Sequence, residues 1–172
     1  DNRAQMWIGR YHVAAARMDT LYTEPGAFYP LDLRDGKIVC LRMISFSESQ
    51  LFELDTRTGE ARDLTGIHLF WSADYTDDGR ILALSDVRST EEEFMKLVLI
   101  DPDDAPAAPE AIEVLYDPGL EIDDLVFKRE LGRACAILNR DGYSELVTVD
   151  LDGATRTLPA PGVGIVDGAD YN

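Results

Sequence analysis

Short apolar runs separated by turns rich in Gly, Pro and Asp fill most of this 172-residue chain. Some runs alternate apolar with polar, as in Leu51-Phe52-Glu53-Leu54-Asp55. Others are almost continuously apolar: Ile38-Val39-Cys40-Leu41, Ile81-Leu82-Ala83-Leu84 and Ala134-Cys135-Ala136-Ile137-Leu138. A period of two marks a strand with one face buried, and a short unbroken run marks a strand covered on both faces. The only helical pattern is weak, at Tyr11 to Met18 around Ala14-Ala15-Ala16, enough for a turn or two. The pattern predicts an all-β chain.

The runs repeat as a unit. Each has an apolar stretch, an acidic turn closed by Gly, two β-rich runs of which the second ends in Asp, and a short tail. The turns are Arg34-Asp35-Gly36-Lys37, Asp77-Asp78-Gly79-Arg80 and Glu130-Leu131-Gly132-Arg133, and the run ends are Asp55, Asp101 and Asp150. These landmarks recur every 43 to 53 residues, the spacing of propeller blades. A four-stranded unit cannot bury its own apolar face and must stack on its neighbours. The expected fold is therefore a β-propeller segment of four-stranded antiparallel blades. Residues 28–66, 67–118 and 119–160 form full blades, residues 1–27 end an earlier one, and residues 161–172 begin another. The segment from Asp101 to Glu110, with Pro102, Pro106 and Pro109, is expected to be a stiff exposed loop.

Two geometries suit a chain that starts and stops inside blades: an arc of a larger ring, or a small ring closed by its terminal strands. The arc is favoured, because pooling both ends leaves the shared blade one strand short. An arc exposes blade faces and strand edges, so self-association is expected.

Composition narrows the partners. Acidic residues number 33 against 16 Lys and Arg, for a net charge of −17, and Lys occurs only as Lys37, Lys96 and Lys128. Such a surface repels a phosphate backbone or an anionic bilayer, which argues against nucleic-acid and membrane partners. The acidity would suit a high-salt habitat, but an Arg- and Ala-rich bias over an acidic surface explains it more simply. Cys40 and Cys135 occupy near-equivalent places in two repeats and are expected to be separate buried thiols. No run is long and apolar enough for a membrane span, and no signal-peptide pattern opens the chain. The expectation leans to a cytoplasmic location, with periplasmic or secreted placement left open.

The repeats carry a family wording. Asn139-Arg140-Asp141-Gly142-Tyr143-Ser144-Glu145-Leu146, continuing to Asp150, resembles the "N-R-D-G-x-x-E-L-Y-x-x-D" blade segment of the propeller domain of prolyl oligopeptidase (S9) serine peptidases. Trp71-Ser72-Ala73-Asp74 with Asp78-Gly79-Arg80 resembles their "W-S-P-D-G-R" opening, with Ala73 in place of Pro and the Asp-Gly displaced. Leu51 to Leu64-Thr65 is similar to their "L-Y-x-L-D-x-x-T-G-E-x-x-x-L-T". The resemblance extends to acylaminoacyl and dipeptidyl peptidases, and the same blade wording occurs in TolB-like propellers. It implies a non-catalytic propeller that caps an α/β-hydrolase domain and limits which peptides reach it. The rival implication is a stand-alone TolB-like propeller that binds proteins or peptides.

Candidate chemistry is sparse. The nucleophile-elbow pattern Gly-x-Ser-x-Gly does not occur, so no catalytic residue is assigned and no hydrolysis is expected from this segment alone. His68 reads as structural, and His12 has no partner visible in the sequence. Asp74, Asp77, Asp78 and Gly79 miss the alternating pattern of a calcium loop. With Asp101, Asp103, Asp104, Asp123 and Asp124 they read as solvated carboxylates. No metal or cofactor is expected. The resemblance to dipeptidyl peptidases implies one weak substrate-binding candidate, Glu92 and Glu93 in the run Glu91-Glu92-Glu93, as carboxylates for a peptide's free amino group.

Overall fold

The computed structural model describes residues 5–87, 94–159, 164–166 and 168–169. Among the described residues, fourteen strands make three four-stranded antiparallel sheets and one two-stranded hairpin. The hairpin pairs β1 (Gln5–His12) with β2 (Arg17–Pro25). The first blade is β3 (Ala27–Arg34), β4 (Lys37–Met43), β5 (Ser49–Asp55) and β6 (Ala61–Asp63). The second is β7 (Phe70–Tyr75), β8 (Ile81–Ser85), β9 (Lys96–Ile100) and β10 (Glu113–Tyr116). The third is β11 (Ile122–Lys128), β12 (Arg133–Arg140), β13 (Tyr143–Asp150) and β14 (Thr155–Thr157). Every blade is a meander with its strands in sequence order, the arrangement of propeller blades.

The acidic turns do what their residues favour. Asp35 and Gly36 have φ of +50° and +82°, and Asp141 and Gly142 have +53° and +84°. Two successive positive φ values define the type I′ turn, whose twist matches that of the strands it joins. Asp tolerates the left-handed region better than most residues, and Gly carries no Cβ to resist it.

Alternate residues of the second strands feed different cores. Val39 and Leu41 of β4 pack with Ala73, Tyr75, Ile81 and Ala83 of the second blade. Cys40 faces the other way, with Phe52, Leu54, Phe28 and the hairpin's Ile8 and Tyr22. In β8, Ile81 and Ala83 face the first blade, while Leu82 and Leu84 pack against Ala134, Ala136 and Leu138 of the third. All five residues of β8 are buried, which is why that run shows no polar alternation. Each fully buried Leu or Ile contributes on the order of 1.5–3 kcal/mol, so stacking dominates over any one sheet's hydrogen bonds. Both cysteines are buried free thiols, and burial pushes Cys40 up to about 12.

Three local expectations change. The Ala-rich segment forms only a 3₁₀ turn, Val13–Ala15, which ends with Ala16 at φ +45° and closes the hairpin. The proline-rich loop is pinned: the Ala107 N–H donates to the Leu64 carbonyl at 2.9 Å, and Ala107 is buried against the first blade. Residues 164–166 form no strand. They lie along the start of β13, where the Ser144 N–H donates to the Gly164 carbonyl at 3.0 Å.

Candidate functional site

In the meander, β3, β7 and β11 are the first strands of successive blades. Their ends define one face of the stack and their beginnings the other. The two faces differ chemically.

At the far face, where these strands end, polar side chains tie the blades together. Asp32 of β3 accepts from the Tyr75 backbone N–H at 2.9 Å and from its neighbour Leu33 at 2.8 Å. Arg129, just past β11, forms an ion pair with Asp32 and donates from Nε to the Tyr75 carbonyl at 2.7 Å. One guanidinium from the third blade therefore grips both the first and the second. Arg34 adds a second tie, donating to the Thr76 and Asp77 carbonyls at 2.5 Å each. Asp74 sits beside this cluster. Burial, reinforced by the charge of Asp32 and only partly offset by Arg129, raises its carboxyl to about 6.

Next to the cluster lies a cleft of about 370 Å³ lined by Arg34, Lys37, Glu53, Tyr75, Arg80 and Asp101, among others. Glu53 is 4% exposed but fully partnered. Its carboxylate accepts from Lys37 Nζ and Arg62 at 3.0 Å and from the Tyr75 hydroxyl at 2.9 Å. Burial alone would raise its pKa, but the bonds from Lys37, Tyr75 and Arg62 together hold it below the usual carboxylate value. A carboxylate bound this completely serves structure rather than proton transfer.

The near face is apolar. Each first strand carries a β-bulge, near the start in β7 (between Phe70 and Ser72) and β11 (between Ile122 and Asp124) and in mid-strand in β3 (between Pro30 and Asp32). A bulge inserts one unpaired residue and re-aims its side chain. The three bulged residues, Leu31, Trp71 and Asp123, all line one groove. On one side of Trp71 is a cavity of about 170 Å³ walled by Tyr29, Leu41, Met43, Phe46 and Phe70. On its other side a cavity of about 250 Å³ is walled by Leu84, Met95 and Ile122 and edged by Glu121 and Asp123. Trp71 is 68% exposed and Phe46 97%. Burial and the nearby Asp123 charge raise the Glu121 carboxyl above its ordinary value.

The residues singled out from sequence are scattered. Glu91, Glu92 and Glu93 lie outside the described residues. His12 does have a partner: its Nε2 is 2.8 Å from Asp19 across the hairpin, and that bond is the main cause of the lowered Asp19 pKa. His68 bridges to Ser49 through its backbone, and its ring meets Phe70 edge-on at 6.3 Å. Asp78 closes its own turn through Thr76 at 2.5 Å and Arg80 at 2.9 Å. Among the described residues, no three His, Cys, Asp or Glu side chains group so as to hold a metal ion. No local sequence pattern marks Asp32, Arg129 or the bulges.

No protein-family model matches the sequence, and no curated protein matches it either. Solved structures do resemble it. A TolB from Agrobacterium tumefaciens superposes with a TM-score of 0.62 at 14% identity, over 91% of this chain and 61% of that one. A prolyl endopeptidase gives 0.67 at 17% identity, over 86% of this chain and 22% of its own. Oligopeptidase B from Trypanosoma brucei gives 0.60 at 17% identity, over 84% and 22%. At these identities the likeness establishes the propeller fold, and the chain spans less than two thirds of each of these structures.

Proposed function

We propose that this chain is the non-catalytic propeller portion of a prolyl-oligopeptidase-like serine peptidase. In that role it gates the access of peptide substrates to an α/β-hydrolase domain carried elsewhere in the parent protein. The observation that carries this reading is the blade wording from Asn139 to Asp150, in a chain whose fold is shared with a prolyl endopeptidase and oligopeptidase B. The chemistry of the described residues fits a gate. Their buried acid is fully bonded, and both histidines are engaged in the scaffold. The test is the parent reading frame. A Gly-x-Ser-x-Gly segment downstream, with labelling of the full-length protein by a fluorophosphonate, supports the proposal. A full-length protein that such a probe leaves unlabelled overturns it.

The second reading, a TolB-like propeller that binds proteins or peptides, draws on the larger share of the TolB chain that is covered. A parent frame holding further blades and no hydrolase pattern would favour it. Under either reading we expect the isolated chain to self-associate. Sedimentation across a hundredfold concentration range checks this, and a monomer throughout refutes it.

A further inference from the structure

The near-face groove has a chemistry that the gating role does not use. Its floor is apolar and its ridge is an exposed indole. Its outer end carries two exposed carboxylates, Glu121 and Asp123, with no ion pair to another described residue. Two unpaired acids beside an indole and an apolar hollow make a place for an incoming cation. Its charge would meet the carboxylates and its stem would lie over the ring.

The groove's shape adds a second requirement. The two hollows share Trp71 and Leu69 in their walls, so one extended occupant can reach both. In an extended peptide, side chains two residues apart project to the same side, about 6.5–7 Å apart. We propose that the groove binds an extended peptide segment with a bulky apolar side chain two residues before a lysine or arginine. The apolar group enters the hollow between Tyr29, Met43 and Phe46. The basic side chain crosses Trp71 toward Glu121 and Asp123. The net charge of −17 draws such a segment in and repels its acidic counterpart. The inference holds for the chain alone and does not depend on a hydrolase domain following it.

Trp7 and Trp71 are the chain's two tryptophans, so Trp7→Phe leaves Trp71 as the sole reporter in the groove. The probes are two blocked pentapeptides, Ala-Phe-Ala-Arg-Ala and Ala-Phe-Ala-Glu-Ala, titrated while Trp71 emission is followed, with circular dichroism confirming the fold. The Arg peptide should give a saturable change and bind at least about tenfold more tightly than the Glu peptide. About 0.5 M NaCl should shrink that preference. In the double variant Glu121→Gln/Asp123→Asn, the two peptides should bind alike. Equal binding of both peptides to the unaltered groove overturns the proposal, as does flat emission up to about 5 mM peptide, or a preference that survives the double variant. Calorimetry on the chain with both tryptophans intact guards against a perturbing Trp7→Phe change and has the same outcomes.

Discussion

Asp74→Asn should stabilise this protein, and by an amount that depends on pH. Asp74 lies on β7 beside Asp32, and its carboxyl is raised to about 6, well above the ordinary aspartate range. The largest cause is burial, followed by repulsion from Asp32. A raised acid pKa means that the folded chain binds the proton more tightly than the unfolded chain. Stability contributed by the protonated carboxyl is therefore present below about 4, is lost as pH rises to about 6, and stays lost above that. Two pH units correspond to about 3 kcal/mol, and partial solvation of the site lowers the expected figure to about 2 kcal/mol. Asn keeps the shape without the charge. The variant should exceed the parent by about 2 kcal/mol at pH 8, a rise in Tm of roughly 4–8 °C for a chain of this size. The gap should close by pH 4.

The difference between the two proteins is the quantity to measure, because other carboxylates pull the other way. Asp19, Asp55, Asp78, Asp117 and Asp150 all have lowered pKa values and lose stabilisation as pH falls. Paired urea titrations at half-unit steps from pH 4 to 8, read by tryptophan emission, cancel those shared contributions. A difference that stays flat with pH would refute the burial argument. Destabilisation by Asn at pH 8 would refute it more directly, since it would mean that the ionised carboxylate is favoured where it sits.

Other predictions follow from the same contacts. Arg129→Ala removes the grip on Asp32 and the Tyr75 carbonyl and should cost about 2–3 kcal/mol in urea unfolding, most of it absent once Asp32→Asn is already in place. Glu53→Gln leaves Lys37 and Arg62 facing a neutral amide in a buried site and should lower stability by about 1–3 kcal/mol. Gly36→Ala places a Cβ at φ +82° and should cost about 1 kcal/mol, with the hairpin retained by circular dichroism. Cys40, its thiol raised to about 12, should react with an aromatic disulfide at pH 8 only at the rate of unfolding, and fast native-state labelling would contradict its burial.

The fold was legible because its determinants are local and repeated. A turn that needs two positive φ values advertises itself as Asp-Gly, and a strand covered on both faces advertises itself as an unbroken apolar run. The inter-blade ties carry no such mark. Asp32 and Arg129 stand 97 residues apart, and only the stacking of three blades brings them together. The bulges were silent for a different reason. They place Leu31, Trp71 and Asp123, three residues with nothing in common, at bulged positions, so composition gives no cue. No partner for His12 shows in the sequence because Asp19 is seven residues away, and it is Ala16 in the left-handed region that folds the chain back and delivers it.

That division between local and long-range determinants also sets how the stack can respond to a ligand. At the far face the blades are joined by directional, charge-assisted bonds from Arg34 and Arg129 to backbone carbonyls, which fix relative positions closely. At the near face apolar packing joins the blades, and the Ser49 hydroxyl of the first blade also accepts from the Phe70 N–H at the start of β7 at 2.7 Å. An occupant of the groove therefore meets blades already held both by Ser49 and by the Arg129 tie. Cutting the Arg129 tie with Arg129→Ala should weaken groove binding less than it weakens the fold, because Arg129 and its partners Asp32 and Tyr75 do not line the groove. Equal losses in peptide affinity and in unfolding free energy would show that the two faces are coupled more tightly than this geometry implies.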